Sequence, residues 1–493
     1  MTEEEAGESP EETRRRFEEA NQGEVFRFWP NLNKAQRGEL LAQATRLDLD
    51  EAKLAWADAN QPAAVMAAAE LTPAPFTPLP VPGPEPNEWR EACTAGEAAL
   101  ADGKVAAFTV AGGQGTRLGY AGPKGEYPAT PISQKPLFRL FAEAIRAAER
   151  RYGRPIHWFL MTSETNHEST RSFFKRHQHF GLFPERVIFF RQGMMPVLSE
   201  AGAILLETPS RMAMSPNGHG GSLKALVSSG ATRTMRDEGI DAISYFQVDN
   251  PLVHCLDPAF IGFHIKNKSE MSSKAVRKTE PREKVGVFCR RDNRLCVLEY
   301  SDLPDELADA RDPAGNLRFE AGSIAIHIIN RSFVDEVGGG TDPSCRLPYH
   351  GARKKVPHLD AAGKLLIPDL PNALKLETFV FDALPFANNP FVLETARAEE
   401  FAPIKNAEGV DSPGSSHRLQ FARAQEWLRR AGVLNLPENI EIEIAPSFAV
   451  SAAHLRQNLP RLPAGFAWTD RLVLSAEHLS EKCPSEENPP TRA

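Results

Sequence analysis

The sequence predicts an α/β protein with a mixed, mostly parallel sheet, a helical N-terminal unit and a small C-terminal α+β region. Three observations predict this class. Short β-rich apolar runs alternate with helical patterns from about residue 100 onward, two β-like runs flank Asp292-Asn293, and the first hundred residues carry a helical repeat. Alternation of strand and helix patterns is typical of βαβ units, whose strands lie parallel in one sheet.

The N-terminal unit is expected to be helical and to span residues 1–100. Its apolar residues recur at three-to-four spacing among charged ones, as an amphipathic helix requires. They are Phe17, Val25, Phe28, Trp29, Leu32, Leu40, Leu41 and Leu47. Residues 71–89, LTPAPFTPLPVPGPEPNEW, contain seven prolines. Because proline disrupts helix interiors and central strands, this stretch is expected to be an extended strap.

The main domain is expected to span residues 101–400. Four apolar runs predict its strands: KVAAFTVAG, IHWFLMTS, VIFFRQG and AISYFQVDN. Ligands of such sheets bind in the crevice beyond the carboxyl ends of the strands. The segment VGVFCRRDNRLCVLEYSDL, residues 285–303, predicts an antiparallel hairpin that turns at Asp292-Asn293.

The C-terminal region is expected to be small and to span residues 401–480. Its clearest signal is NIEIEIAPSFAV, whose alternation predicts a strand. Residues 481–493 are polar and proline-rich, and they are expected to be a disordered tail.

Composition and charge exclude several function classes. The 493 residues carry 65 acidic and 57 basic side chains, a net charge of −8, so nucleic acid is not an expected partner. No apolar stretch approaches the roughly 20 residues that span a bilayer. The N-terminal sequence MTEEEAGESPEE lacks the basic-then-apolar order of a secretory signal, so we expect a cytoplasmic protein. None of the six cysteines forms a CxxC pair, and all six are expected to be thiols.

A glycine-rich loop follows the first predicted strand of the main domain. It reads VAGGQGTRLGYAGPKGEYP over residues 110–128. Bare backbone can bring N–H groups close to an anion, and Arg117 and Lys124 add donors suited to phosphate. The spacing fits neither GxGxxG nor GxxxxGK[ST], so the dinucleotide fingerprint and the P-loop are excluded. A tight turn with solvated basic residues is the structural alternative, which the order of the Gly-Gly-x-Gly-Thr-Arg and Pro-Lys-Gly groups disfavours. The loop therefore predicts a nucleoside triphosphate site.

The combination AGGQGTRLG and GPKG resembles the signature of the nucleotidyltransferases that make UDP-sugars. More narrowly, the chain resembles the eukaryotic-type UDP-N-acetylglucosamine pyrophosphorylases and their UDP-sugar pyrophosphorylase relatives. Further matching segments cover nearly the whole chain in order; they include RQGMMPVL, SPNGHGG, FQVDNPLV, DPAFIGFHI, VGVFCR, LEYSDL, KLETFVFD and EEFAPIKNAEG. The resemblance implies the Rossmann-like, GT-A-like fold of the nucleotide-diphospho-sugar transferases.

The resemblance also implies roles for individual residues toward UTP. Gly112 and Gly113 would contact uridine through backbone atoms. Gln192 would hydrogen-bond uracil, since an amide offers both a donor and an acceptor. Gly218 would make a second uracil contact. His219, which stands where the family commonly has asparagine, would also bind substrate.

The phosphates and the sugar have their own implied residues. Arg117, Lys124 and Lys405 would act in catalysis, and Lys375 would bind phosphate. Asp249, at the carboxyl end of a predicted strand, would bind substrate and hold Mg²⁺. Gly286 and Glu299 would contact the sugar. Asp257, which precedes Pro258, is expected to cap a helix instead.

One departure from the family pattern concerns the sugar. The family reads Gly-Asn-Ile-x-Asn-His where this chain has Gly-Ser-Ile-Ala-Ile-His at residues 322–327. Ile326 thus replaces an asparagine that contacts the sugar, and isoleucine cannot hydrogen-bond.

The implied reaction joins UTP to a sugar 1-phosphate and releases pyrophosphate. N-acetylglucosamine 1-phosphate is the expected acceptor, with glucose 1-phosphate or a broad range of sugar 1-phosphates as the alternative. The alternative from a different functional class is a non-catalytic protein that binds sugar nucleotides as a sensor. The attacking phosphate oxygen is already anionic, so the reaction requires no Ser-His-Asp or Cys-His group. The oligomeric state stays open between a monomer and a weak dimer.

Overall fold

The computed structural model describes residues 8–60, 71–81, 83–340, 342–433, 436–437 and 440–479. The tail predicted at residues 481–493 lies outside the described residues. The helices are, in chain order, α1 (Pro10–Glu19), α2 (Lys34–Ala44), α3 (Leu49–Ala59), α4 (Asn87–Ala101), α5 (Leu137–Tyr152), α6 (His167–Arg176), α7 (Gly221–Ser228), α8 (Ala231–Asp237), α9 (Pro258–Lys266), α10 (Asp305–Ala308), α11 (Arg331–Gly339), α12 (Arg397–Glu400), α13 (Pro413–Arg430) and α14 (Ala452–Asn458).

The strands are, in chain order, β1 (Leu71–Pro73), β2 (Val105–Val110), β3 (Trp158–Thr162), β4 (Val187–Arg191), β5 (Met194–Pro196), β6 (Leu198–Ser199), β7 (Leu206–Thr208), β8 (Arg211–Met212), β9 (Met214–Pro216), β10 (Ala242–Gln247), β11 (Met271–Arg277), β12 (Val287–Arg291), β13 (Arg294–Leu298), β14 (Ala321–Asn330), β15 (His350–Lys354), β16 (His358–Leu359), β17 (Leu365–Leu366), β18 (Ala373–Glu377), β19 (Phe391–Glu394), β20 (Glu441–Ile444) and β21 (Arg471–Leu474).

The chain divides into two compact units. The first comprises residues 1–66, 192–225 and 340–383, and the second comprises residues 67–191, 226–339 and 384–493. The domain boundaries predicted from the sequence stay predictions. In the first unit, helices α1–α3 bury an apolar face that includes Phe17 and Leu40, and this face packs on residues such as Leu206 and Leu376.

The second unit is built on a ten-stranded mixed sheet. Its main order is β1-β12-β14-β10-β2-β3-β4. Outside this order, β11 pairs with β14 and with β19, and β13 pairs with β12. Strands β10, β2, β3 and β4 are parallel, whereas β14 runs antiparallel to β10, β11 and β12. Helix α5 packs its apolar residues onto these parallel strands, where Phe141 contacts Phe246. The predicted α/β class with a mostly parallel core of the sheet is confirmed.

Two local predictions are confirmed as well. Strands β12 and β13 form the predicted antiparallel hairpin, and Asp292 and Asn293 take φ angles of 49° and 61° in its two-residue turn. The NIEIEIAPSFAV segment contains β20, which pairs with β21 in parallel. No helix in the described part of the chain is long and apolar enough to cross a membrane.

Candidate active site

The carboxyl ends of β2 and β10 lie side by side in the sheet. These two strands pair in parallel with Gln247 opposite Val110. Strand β3 lies on the other side of β2, so the chain winds outward in opposite directions from this point. Such a switch point leaves a crevice beyond the carboxyl ends of the strands, where α/β proteins bind ligands. The glycine loop follows β2 into this crevice, and Asp249 follows β10.

The glycine loop folds back on itself. The Gly115 N–H donates to the carbonyl of Gly122 over 2.8 Å, and the Lys124 N–H donates to the carbonyl of Gly113 over 3.0 Å. These bonds bring the lysine beside the start of the loop although eleven residues separate Gly113 and Lys124 in sequence. Gly119 takes a φ of +69°, a backbone region that favours glycine. The exposed Gly113 leaves backbone accessible to a ligand.

Asn166 holds the loop in place and was missed by the sequence reasoning. Its Nδ2 atom donates to the carbonyl of Ala111 over 3.0 Å, and its Oδ1 atom accepts from the Ser163 N–H over 2.8 Å. The side chain is fully buried. A polar cluster, SETN, directly follows β3 in sequence, and that position beyond a parallel strand was the available signal.

The pairing of β2 with β10 brings Lys124 and Asp249 together. Lys124 Nζ lies 3.8 Å from Asp249 Oδ2, and both side chains are largely buried. This separation exceeds hydrogen-bond distance, so the ammonium keeps its donors for another partner. A cation and a carboxylate that face one crevice can grip a phosphate and a metal ion, respectively.

Lys405 reaches the same region through the chain that follows α12. The Ile404 N–H donates to the carbonyl of Asp249 over 2.9 Å. Lys405 Nζ lies 4.0 Å from Asp411 Oδ2, a carboxylate that the sequence reasoning did not single out. Burial raises the pKa of Asp411, and the Asp249 carboxylate adds to this rise while Lys405 opposes it. The crevice therefore holds one charged group made of two lysines and two aspartates, namely Lys124, Lys405, Asp249 and Asp411.

Asn250 ties this group together. Its Nδ2 atom donates to the carbonyl of Glu400, and its Oδ1 atom accepts from the Ala402 N–H over 3.1 Å and from the Leu252 N–H over 3.3 Å. The side chain is 6% exposed, so these bonds have no competition from solvent. The dipeptide Asp249-Asn250 was visible in the sequence, but two of the partners of Asn250, Glu400 and Ala402, lie 150 and 152 residues further on and gave no signal.

Replacing Asn250 by alanine is expected to lower both stability and turnover. The substitution removes the partner of one buried carbonyl and of two buried N–H groups, at a cost of about 1–3 kcal/mol in the free energy of unfolding. It also releases the segment that carries Lys405. Thermal unfolding and initial rates of the purified variant test this. Asn316→Ala, in an exposed turn, is the matched control, and an Asn250→Ala variant indistinguishable from it would contradict the assignment.

The remaining predicted residues of the second unit lie on its surface or at the hairpin. Arg117 is exposed on a short 3-10 turn (Thr116–Leu118) and forms no ion pair with any residue that the structure describes. Gly112 is half-buried at the start of the loop. Gly286 directly precedes β12 and Glu299 directly follows β13, so the hairpin brings both to its open end. A Cβ atom on Gly286 would lie 2.8 Å from Val297, which explains the need for glycine there.

The first unit brings Gln192 and Gly218 together. Gln192 Nε2 donates to the carbonyl of Gly218 over 2.8 Å. Gly218 takes a φ of +80°, and a Cβ atom there would lie 2.3 Å from the carbonyl oxygen of Thr378, so only glycine fits. Lys375 lies half-buried on β18.

His219 packs within the first unit. Its ring stacks on Phe379 with 5.3 Å between centroids, and its Nδ1 atom accepts from the Val380 N–H over 3.2 Å. Burial, with a smaller contribution from His350, lowers the pKa of His219 to about 4. The imidazole is therefore neutral at pH 7 and carries its proton on Nε2. These contacts give the residue a structural part, and its predicted contact with substrate stays a prediction.

Ile326 lies on β14 with 2% of its surface exposed and packs in the hydrophobic core. Its neighbour Ala325 has a φ of +54°, and the pairing of β11 with β14 shifts register between Ser273 and Ala275, opposite this region. The position that the family fills with asparagine is thus apolar and buried in this chain.

Two places in the described residues offer carboxylates that could be considered for a divalent cation, the His254–Asp257–Glu400 cluster and Asp249. His254, Asp257 and Glu400 converge in ligand-like fashion, but Lys274 Nζ already bonds both carboxylates and occupies the cation position. Asp257 also caps α9 as predicted, since its Oδ1 atom accepts from the Ala259 N–H over 3.0 Å. Asp249 supplies one carboxylate, which suits an ion that takes its other ligands from phosphates and water.

Comparisons with known proteins identify the family of the chain. Residues 87–457 match the family model UDPGP, described as UTP--glucose-1-phosphate uridylyltransferase. The "UDP-N-acetylhexosamine pyrophosphorylase-like protein 1" of Xenopus tropicalis is 39% identical over 89% of this chain and 88% of its own length. The UDP-N-acetylglucosamine pyrophosphorylase of Saccharomyces cerevisiae is 33% identical over 90% of this chain and 96% of its own.

A solved structure extends the likeness to the fold. The uridine diphosphate N-acetylglucosamine pyrophosphorylase from Trypanosoma brucei, crystallised in complex with inhibitor, aligns with a TM-score of 0.81 and 25% identity. The alignment covers 94% of this chain and 98% of that one. The motifs, the mixed sheet and these matches over most of the chain lead to one conclusion: the chain belongs to the UDPGP family of uridylyltransferases.

Proposed function

We propose that the chain transfers a uridylyl group from UTP to N-acetylglucosamine 1-phosphate and releases pyrophosphate. The observation that carries the proposal is the Lys124–Asp249 pair beside the glycine loop, at the switch point of the sheet. The names of the relatives from X. tropicalis and S. cerevisiae support the acetylated sugar as acceptor.

In the proposed reaction, a phosphate oxygen of the sugar 1-phosphate attacks the α-phosphorus of UTP. The bond from that phosphorus to the oxygen bridging to the β-phosphate breaks, and pyrophosphate leaves. Both reactants are anions, so positioning and charge stabilisation account for catalysis. Lys124, Arg117 and Lys405 would neutralise the phosphates, and Lys375 would bind phosphate. Mg²⁺ held by Asp249 would supply further neutralisation of the leaving pyrophosphate.

The base and the sugar would be recognised by different groups. The Gln192 amide nitrogen already donates to Gly218, so its carbonyl oxygen remains to accept from the N3–H of uracil. Gly112, Gly113 and Gly218 would add backbone contacts to the nucleoside, with His219 supporting the segment beside Gly218. Glu299 would accept from sugar hydroxyls, with the backbone of Gly286 beside it.

Glucose 1-phosphate is the second candidate acceptor, and two observations favour it. Ile326 removes a hydrogen-bonding side chain from the sugar-binding stretch, and the family description names glucose 1-phosphate. The acetylated sugar stays first because the names of the relatives from X. tropicalis and S. cerevisiae specify N-acetylated sugars.

The test is pyrophosphate release from UTP and Mg²⁺ with each sugar 1-phosphate in turn. We expect kcat/KM to favour N-acetylglucosamine 1-phosphate by about tenfold or more, the scale of discrimination that a small apolar pocket gives. A preference for glucose 1-phosphate would assign the second acceptor. Release with neither sugar, in a protein that still binds UTP, would favour the sugar-nucleotide sensor.

A further inference from the structure

Two thiols face each other across the β12–β13 hairpin. Cys289 lies directly opposite Cys296 in the register, and their Sγ atoms are 3.4 Å apart. The Cα atoms of directly opposite residues in antiparallel strands lie about 4.5–5.5 Å apart, within the range that a disulfide bridges. The tight turn at Asp292 and Asn293 fixes this register. The backbone is therefore already arranged for a bond between the two sulfurs.

The two thiols differ in their surroundings. Cys289 is fully buried, whereas Cys296 is partly exposed. The neighbouring Cys296 thiol and burial both raise the pKa of Cys289, so this thiol stays protonated at neutral pH. An oxidant from solvent would thus react with Cys296 first.

We propose that Cys289 and Cys296 form a reversible thiol-oxidation site that accepts a peroxide as two-electron oxidant. The Cys296 thiolate attacks one peroxide oxygen, giving a sulfenic acid and a hydroxide that takes up a proton to become water. The Cys289 sulfur then attacks the sulfenic sulfur of Cys296, and the disulfide forms as the S–O bond breaks. The leaving hydroxyl takes up the thiol proton of Cys289 and departs as a second water. Both sulfurs are oxidised, and the peroxide is reduced to two waters.

The consequence lies at the open end of the hairpin and rests on the proposed function. Gly286 is three residues before Cys289, and Glu299 is three residues after Cys296. The sulfurs must move from 3.4 Å apart to about 2.05 Å to bond, so the two side chains rotate and the bond locks the two strands to each other beside the proposed sugar contacts. Because small displacements of positioning groups weaken substrate interactions, oxidation is expected to raise the KM for the sugar 1-phosphate.

The first experiment detects the bond without any activity. The full-length protein is treated with hydrogen peroxide, alkylated, and digested with trypsin. Cleavage after Lys284, Arg290, Arg294 and Arg311 places the two cysteines in separate peptides, 285–290 and 295–311. We expect these peptides to be linked in the oxidised sample and separate after dithiothreitol. Their absence as a linked pair would overturn the proposal, whatever the enzyme's substrate.

The second experiment tests the consequence. We expect oxidation to raise the KM for the sugar 1-phosphate roughly threefold or more, to leave the KM for UTP unchanged, and to be reversed by dithiothreitol. C289S and C296S should be insensitive, and C345S, which keeps the pair, should respond as the unaltered chain does. A linked peptide with an unchanged KM would overturn the regulatory consequence. A reduced enzyme that uses neither sugar 1-phosphate would instead count against the proposed function.

Discussion

Replacing Lys124 by alanine is expected to lower kcat by about 100- to 1,000-fold, the cost of removing one preorganised charge-stabilising donor. The lysine is held beside the glycine loop by its backbone bond to Gly113, and its ammonium lies 3.8 Å from Asp249 Oδ2. That distance leaves the ammonium available to a phosphate. Since the pair makes no hydrogen bond, its loss is expected to shift the midpoint of thermal unfolding by only a few degrees.

Lys135 is the matched control for Lys124 because it is a structural lysine at the end of the same loop region. Its Nζ atom bonds Glu143 Oε2 over 2.8 Å, and both side chains are about 10% exposed. Lys135→Ala is expected to cost about 1–3 kcal/mol of stability through loss of a hydrogen bond to a charged group, since Arg139 still bonds Glu143 over 3.1 Å. The folded enzyme is expected to keep its kcat. Steady-state rates with UTP and N-acetylglucosamine 1-phosphate, together with thermal unfolding, measure both variants. Near-full turnover in Lys124→Ala would contradict the assignment of the loop.

The parallel core of the sheet could be predicted because its signals are local. The sequences of β2, β3, β4 and β10 are short apolar runs that polar or glycine residues follow. This local pattern is enough to predict a buried strand. The turn at Asp292-Asn293 is equally local. The meeting of Lys124 and Asp249 is less local, because it depends on β10 pairing with β2 across more than a hundred residues of sequence.

Pairings between distant segments could not be predicted. Strand β19 pairs with β11, so that Ser272 lies opposite Phe391, and no local pattern specifies such a partner. Strand β1 comes from the proline-rich strap, where Pro73 lies opposite Cys289 on β12. Proline is tolerated there because β1 is an edge strand. Asn250, Asn166 and Asp411 were missed for the same reason, since their roles depend on backbone groups that only the fold brings near.

Replacing Lys274 by methionine is expected to destabilise the second unit by about 3–5 kcal/mol, because it leaves buried carboxylates without their cation. Lys274 Nζ bonds Asp257 Oδ2 over 2.6 Å and also bonds Glu400 Oε2. Lys274 and Glu400 are 2% and 1% exposed. Glu400 is further bonded by the Thr395 hydroxyl and the His254 N–H, over 2.7 Å and 3.1 Å.

The group of Lys274, Asp257 and Glu400 makes the free energy of unfolding depend on pH, and it stabilises the fold most where all three side chains are charged. Lys274 lowers the pKa of Asp257 and of Glu400 against the opposing effect of burial. Their contribution is therefore present above the unfolded values, about 3.9 and 4.3, and is lost as pH falls through the lower folded values. The two carboxylates raise the pKa of Lys274 although burial opposes them. That contribution is present below about 10.4 and is lost as pH rises through the higher folded value.

The Lys274→Met variant should therefore respond to acid in the opposite direction. Without the ammonium, two buried carboxylates repel each other, and the pKa of one of them rises. A raised folded pKa means that the native state binds more protons than the unfolded state, so stability relative to the unaltered chain increases as pH falls. Thermal unfolding at pH 7.5 and pH 5 should show a smaller deficit at the lower pH.

Lys104→Met controls for loss of a lysine, because Lys104 pairs with Asp241 on the surface over 3.4 Å, and exposed pairs contribute only about 0–1 kcal/mol. Its deficit should be small at both pH values. A Lys274→Met deficit that is equally small, or one that does not shrink at pH 5, would contradict the electrostatic account.

The group of Lys274, Asp257 and Glu400 is also linked to the active site through the backbone. Glu400 begins the segment that Asn250 binds and that ends at Lys405. Lys274→Met should therefore also lower kcat at temperatures where the variant is still folded, whereas Lys104→Met should not.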